Sequence, residues 1–338
     1  MLDASEQLER AERSLRRAHL DVWSKRVSLP PPPPGVDVRT LVSAALNLDE
    51  SLMISIGGFL SSDARLREIK DALSSGLFAH AIVASREDLG RLAELLIDWS
   101  AEEPENLTRF ALDFHGGEFV SPYFPISRSP PAALEAPMLT VALLYVEDAE
   151  GALRRGGLAA LEEMLIDFSE RIRGALSEVD DGRARLRGID FSLSPWMESS
   201  VAKVIEAYGR CRLEGGRCIP VVRDLNRALN SERLRPLSTG FNELMLPVAE
   251  DEALKLKAKT GSMRVADLLL YVPVCLAGLD MVAFRAGRRD LLTVLDSLYC
   301  YSEVKRRPLG FRGIPVEPEE KVESIETSVF GEIPVIEL

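Results

Sequence analysis

The chain holds only four cysteines and three histidines among 338 residues. Cys211, Cys218, Cys275 and Cys300 are too few and too irregularly spaced for a disulfide scaffold or a paired CxxC zinc site, so reduced thiols are expected. His19, His80 and His115 lack metal-ligand spacing, which leaves a histidine-based zinc centre or a serine triad without support. No apolar run approaches ~18 uninterrupted residues, and the charged amino terminus lacks the apolar core of a signal peptide. These absences predict a cytoplasmic chain that neither enters a membrane nor is exported. Basic residues are also short, at 41 Lys and Arg against 53 Asp and Glu. The resulting charge of -12 argues against a general nucleic-acid surface, which needs cations to neutralise phosphates. No internal repeat and no break in composition divides the chain, so residues 1–338 are expected to form one domain.

What is present is an ordinary globular composition, 46% hydrophobic and 28% charged. Leu8, Ala11, Leu15 and Ala18 recur at helical spacing and predict an amphipathic opening helix over 3–20. The run Pro30 to Pro34 excludes helix and central strand and reads as a stiff spacer, closing an amino-terminal segment of 1–36. Thereafter strands and helices alternate. Strands are expected at 52–56, 78–84, 107–114, 138–146, 185–193, 243–248 and 268–274, with helices at 39–48, 62–74, 87–99, 150–178, 198–208, 219–229, 250–259 and 290–305. A long turn-rich excursion at 115–137 interrupts the rhythm and is expected to cover a site. A Pro- and Glu-rich tail, 316–338, closes on a final strand, EIPVIEL. Such alternation implies an α/β fold with a largely parallel sheet under helical cover, either a closed barrel or a doubly wound sheet.

Chemistry in such folds sits where strands end on one face. Asp190 and Ser192 close one expected strand, Glu250 and Asp251 a second, and Cys275 with Asp280 a third. Clustered carboxylates could hold a hard cation such as Mg²⁺ or Mn²⁺, or raise one another's pKa to make a general acid and base. Asp190 and Glu250 are the catalytic candidates, and Asp251 is the candidate metal ligand. The competing reading is structural, because Glu250-Asp251 also suits the start of a helix. Cys275, at the end of LLLYVPV, is a candidate nucleophile or radical carrier, or else a small buried residue. Two glycine pairs, Gly57-Gly58 and Gly215-Gly216, could hold an anion at a helix start, although neither is a GxGxxG or Walker loop.

Several of these stretches resemble a widespread family of uncharacterised proteins, domain of unknown function 711. The resemblance rests on GIDFSLSP at 188–195, the helix and glycine turn after it, MLPVAED at 245–251, LLLYVPVCLAGLD at 268–280 and RPLGFRGIP at 307–315. VRTLVSAALNL at 38–48 looks like the family's opening segment. Members are similar in fold to the pyruvate formate-lyase-like glycyl radical enzymes, which implies a ten-stranded α/β barrel built from two parallel halves. Radical chemistry is not implied, because the tail SVFGEIPVIEL has no RVxGY-like loop around Gly331. The chain also departs from the family pattern. It carries Leu276 and Ala277 where members have glycine and threonine, Arg285-Ala286-Gly287 in place of a PGD-like turn, and Gly215-Gly216-Arg217-Cys218 in place of a GGPGT-like turn. Asp190, Ser192, Glu250, Asp251, Cys275, Asp280 and Arg312 remain, with Ser192, Gly215, Gly216, Asp280 and Arg312 as ligand contacts. Two functions follow as expectations. One is a carboxylate-rich site acting on a small molecule; the other is a non-catalytic metabolite-binding or scaffold protein descended from a barrel enzyme. No nucleic-acid or membrane partner is expected, and a homo-oligomer is the remaining structural alternative.

Overall fold

In the computed structural model, residues 2–114, 117–129, 137–177, 179, 185–274 and 278–338 are described. The first half runs α1 (Leu2–Arg17), β1 (Lys25–Ser28), α2 (Val38–Leu46), β2 (Leu52–Leu60), α3 (Ile69–Ser74), β3 (Phe78–Ile82), α4 (Leu89–Glu102), β4 (Phe110–Asp113) and β5 (Met138–Ala142). It continues with α5 (Val146–Leu176), β6 (Arg185–Asp190), α6 (Val201–Gly209), α7 (Ile219–Leu229), α8 (Glu252–Lys259) and α9 (Val265–Tyr271). The chain closes with β7 (Leu279–Arg285), α10 (Arg288–Lys305), β8 (Gly310–Val316), β9 (Ser324–Thr327) and β10 (Gly331–Ile336). Among the described residues no helix is long and apolar enough to cross a membrane.

The expected α/β class is present, with a large and mostly parallel sheet. Its eight strands run β1-β2-β3-β4-β8-β7-β10-β9, and β5 and β6 form a separate parallel pair. The expected closed ten-stranded barrel is therefore corrected: among the described residues, ten strands are divided between two sheets and do not close. The eight-stranded sheet nevertheless has two parallel blocks. β1 to β4 are mutually parallel, as are β8, β7 and β10, and the blocks meet where β4 lies antiparallel to β8. β9 folds back on β10 as an antiparallel edge hairpin inside what was expected as a tail.

Two further expectations are corrected. LLLYVPV is helical at its start, not a strand, because Val265, Leu268 and Tyr271 bury one side at helical spacing while Asp267 accepts from the Arg264 amide in a capping box. The strand follows instead as β7, whose run from Leu279 to Phe284 is buried on both faces, as an interior parallel strand requires. ELMLPV is extended but joins its neighbour only through a bridge between Leu244 and Leu193 before a 3₁₀ turn at Val248–Glu250. Pro247 has no amide to continue a ladder.

The thiols differ from expectation as well. Cys211 and Cys218 are joined by a disulfide, while Cys300 is free and exposed. Arg210 closes α6 in the left-handed conformation, and the loop that follows returns to bring the two Cα atoms to 5.5 Å. Linear spacing did not reveal this return.

The polyproline segment is held against the sheet. Gly57, at φ +94°, sits at a register shift in β2, and a Cβ there would meet the Pro30 carbonyl oxygen at 2.8 Å. Arg65 donates to the carbonyls of Pro33 and Val36 at 3.1 and 2.8 Å. Most buried apolar side chains form one core between the sheets and the helices. A smaller cluster of Ala111, Phe119, Ile126, Phe241 and Met245 forms separately. On β4, Phe110 and Leu112 join the main core while Ala111 joins the small cluster, so the two lie on opposite faces of that strand. Residues 119–126 of the long excursion thus cover the second face.

Candidate functional site

The centre of the site follows from strand register. Parallel β7 and β8 place Asp280 beside Arg312 as direct partners. The carboxylate receives the guanidinium as a fork, with Nε on Oδ1 and Nη2 2.9 Å from Oδ2. The turn Val248–Glu250 adds a second carboxylate, Glu250 Oε1, 3.0 Å from the same Nη2. Burial alone would lower the Arg312 pKa, but Asp280 and Glu250 hold it above its ordinary value. Glu250 is shifted upward, because burial and the nearby Asp280 charge outweigh the stabilising Arg312.

This cluster lines a cavity of about 40 Å³, room for a few water-sized groups. The remaining wall is largely apolar, with Phe124, Phe241, Met245 and Phe311. Tyr123 and Ser194 add hydroxyls, and burial pushes the Tyr123 phenol upward so that it stays protonated. Tyr123, Phe124 and Ile126 all belong to the long excursion, which therefore lines this cavity. Sequence reasoning identified that segment without singling out its residues. It also passed over Glu243, which is buried 2.8 Å from Lys305 and 2.6 Å from Arg307.

The other candidate residues occupy different surroundings. Asp190 ends β6 fully enclosed and accepts four hydrogen bonds, from the Ser192 amide and hydroxyl and the Phe241 and Asn242 amides, at 2.6 to 2.9 Å. Burial raises its pKa despite these bonds. Gly240, at φ +69°, lets the backbone fold this close, since a Cβ there would lie 2.2 Å from Asp190 Oδ2. Ser192 passes the contact on by accepting from the Glu243 amide at 3.1 Å. Asp190 and Ser192 thus tie residues 241–243 to the end of β6 and stand behind the cavity wall.

Asp251, read as a metal ligand, directs its oxygens at two helices. Oδ1 accepts from Ala253 and Leu254 at the start of α8, and Oδ2 accepts from Ala202 in the first turn of α6 at 3.1 Å. Burial raises its pKa and those bonds oppose the rise. Among the described residues, no group of three or more His, Cys, Asp and Glu is arranged to hold a metal ion. Gly215 donates to Asp267 at 2.8 Å, and Gly216 packs beside Ile219 and Leu270, away from the cavity wall. Cys275, Leu276, Ala277 and His115 lie outside the described residues.

A second polar centre lies on the same face as Ala111. His80 of β3 is the register partner of Ala111 and is fully buried. Burial, followed by the Arg128 charge, lowers its imidazole pKa to about 3, so the ring is neutral. Arg128 Nε lies 2.9 Å from Asp113 Oδ2.

Residues 162–327 match the family described as Uncharacterised ACR (DUF711). The DUF711 match spans Asp190, Glu250, Asp280 and Arg312, and so contains the ion-paired centre of the cavity. The chain is also similar to a UPF0210 protein of Pyrobaculum arsenaticum, 24% identical over 220 residues, covering 63% of this chain and 47% of that protein. Another UPF0210 protein, from Methanosarcina mazei, is 27% identical over 157 residues, covering 44% of this chain and 34% of the relative. The aligned stretch is thus less than half the length of either relative. Neither the family description nor these names assign a reaction.

Proposed function

We propose that the chain is a divergent DUF711 protein that binds a small polar molecule in the cavity beside Arg312, with Glu250 exchanging a proton with it. The observation that carries this reading is the contrast among the carboxylates. Asp190 and Asp251 are engaged by backbone amides, whereas Glu250 lies in the cavity wall, held through one oxygen by Arg312 and shifted toward protonation. Arg312 orients Glu250, and Asp280 fixes Arg312 through the fork.

The two parallel strand blocks meeting at β4 and β8 support descent from the two-halved barrel of the pyruvate formate-lyase-like enzymes. A cytoplasmic location, with no nucleic-acid or membrane partner, belongs to the same proposal. A non-catalytic binding protein is the second reading, and Arg285 favours it. Where family members have a PGD-like turn, Arg285 donates to the carbonyls of Glu320 and Val322 at 2.6 and 2.8 Å, tying down the carboxy-terminal segment.

The test is a metabolite library screened by NMR on the full chain, followed by pH titration of the hits with wild type and Glu250→Gln. The enzyme reading expects a hit that shifts cavity resonances, with a pH dependence that the variant loses and turnover that it abolishes. Hits without turnover would select the non-catalytic reading. A library that leaves every cavity resonance unmoved would remove both.

A further inference from the structure

We propose that the Tyr123 hydroxyl is the hydrogen-bond donor that recognises the ligand of this cavity, and that the ligand is a small neutral carbonyl compound of about three non-hydrogen atoms. This deepens the binding function proposed above and rests on it. Tyr123 is part of the cavity wall, as are Glu250 and Arg312, yet it lies outside the stretch that matches DUF711. Its hydroxyl oxygen is buried and has no hydrogen-bond partner among the described residues. Glu250 and Ser194, both in the same wall, are among the groups that act on the phenol, which puts its hydroxyl end on the cavity side. Ser194 stops short of hydrogen-bond geometry with it. A buried phenol ordinarily finds a partner, because a hydrogen bond left unmade costs the desolvation of the group. The side chain is held in place by its surroundings. Ser121 Oγ accepts from the Tyr123 amide at 3.0 Å, Ser127 Oγ accepts from the Ser121 amide at 3.2 Å, and the Tyr123 ring centroid lies 6.4 Å from that of Phe241. The cavity thus meets an unused donor in a fixed position.

Volume and charge select the class of ligand. A space of about 40 Å³ admits a group of a few atoms and excludes a ring. Asp280 cancels Arg312 through the fork, so Glu250 sets the charge of the wall, which is zero or negative. Behind the wall, Arg26 and Asp190 act on Tyr123 with opposite signs. A carboxylate ligand would therefore lie against Asp280 and Glu250 with its charge unmatched. A small ammonium carries donors only and would leave the Tyr123 hydrogen without an acceptor. A carbonyl oxygen has two lone pairs. One suits Tyr123, and the other suits Glu250 in the protonated form that burial and the Asp280 charge favour. Phe124, Phe241, Met245 and Phe311 receive the rest of a molecule that has no charge to solvate. Two fixed donors on one carbonyl oxygen also polarise it, as a phenol and a neutral carboxylic acid do when they stabilise a developing oxyanion.

The experiment uses the full chain labelled with ¹³C-methyl methionine and follows the methyl resonance of Met245 in the cavity wall, identified by its loss in Met245→Leu. The probes are formamide, its anionic isostere formate, and methylammonium, each titrated at constant ionic strength. The expected result is a saturable formamide shift in the millimolar range, weak because so few atoms make contact, with formate and methylammonium several-fold weaker. Tyr123→Phe removes only the hydroxyl and should weaken formamide binding by about 3- to 10-fold, the size of one neutral hydrogen bond. If Tyr123→Phe does not melt cooperatively, the ¹³Cζ resonance of Tyr123 in the wild-type chain replaces it, and formamide should move that resonance. Unchanged formamide affinity in a folded Tyr123→Phe, a Tyr123 Cζ resonance that formamide leaves in place, or binding of formate or methylammonium as tight as that of formamide would overturn the assignment while leaving the cavity as a binding site. No saturable shift with any probe would also overturn it, and would extend to the cavity only if the metabolite library were blank too.

Discussion

Asp251→Ala should cost a few kcal/mol, and the size of the loss separates a helix cap from a metal ligand. The wild-type carboxylate accepts from Ala253 and Leu254 at one helix start and from Ala202 at another. Losing an N-cap side chain costs about 1 kcal/mol. Leaving the Ala202 amide buried without its acceptor adds about 1–3 kcal/mol. The expected sum is about 2–4 kcal/mol. Unfolding entropy of about 2.1 cal/mol/K per residue, applied to 338 residues, gives about 0.7 kcal/mol/K, so the melting temperature should fall by about 3–6 °C. Asp251→Asn keeps an acceptor oxygen and should recover a large part of the loss. The assay is a thermal melt of wild type and both variants in chelator, then in Mg²⁺ and in Mn²⁺. A fall below about 1 °C in Asp251→Ala would refute the double cap. A rise in wild type with either metal that Asp251→Ala loses would restore a metal role, because a ligand bound only to the native state must raise its stability.

Glu250→Gln should flatten one part of the pH profile of stability. Because the folded pKa of Glu250 is raised above 4.5, its contribution is fully present below that value and is lost as pH rises through the folded pKa. Denaturant melts should therefore show the wild-type advantage over the variant shrinking as pH rises from about 4.5, and a constant difference would contradict the assigned shift. His80 acts in the opposite direction. Its folded pKa of about 3 lies below the ordinary 6.5, so its contribution is complete above pH 6.5 and is lost as pH falls toward 3. The slope should be about 1.4 kcal/mol per pH unit in that window, and a folded His80→Gln variant that keeps the same slope would exclude His80 as its source. Reduction of the Cys211–Cys218 disulfide opens a short loop and should cost about 2–3 kcal/mol, or about 3–4 °C in a melt with and without reductant. Mass spectrometry after alkylation of the native chain should leave Cys211 and Cys218 unlabelled; their labelling without reductant would show that the bond does not form.

Helices with a clear apolar stripe were legible in the chain. Residues 219–229 were expected as a helix and form α7, and the 290–305 pattern falls within α10. Short apolar runs were ambiguous, because a buried helix and a buried strand are equally apolar over seven residues. LLLYVPV was misassigned for that reason, and GLDMVAFR, the strand that supplies Asp280, was passed over. The legible part of the site was its residue types. Asp280, Glu250 and Arg312 all stood in motifs, yet nothing in their linear spacing linked them.

Composition and periodicity by themselves determined the α/β class, the parallel rhythm and the acidic character, because these depend on local backbone preference and on which residues leave water. Three-dimensional packing decided the rest. It set Asp280 against Arg312 by β7–β8 register, turned Asp251 toward two helix starts, brought Cys211 to Cys218, and placed Tyr123 from the long excursion in the wall of a cavity whose ion pair is built by the last third of the chain. Each is a meeting of residues distant in sequence or turned by loop geometry. Linear pattern carries no record of such distances; they arise only when the apolar faces of the elements find one arrangement that buries them together.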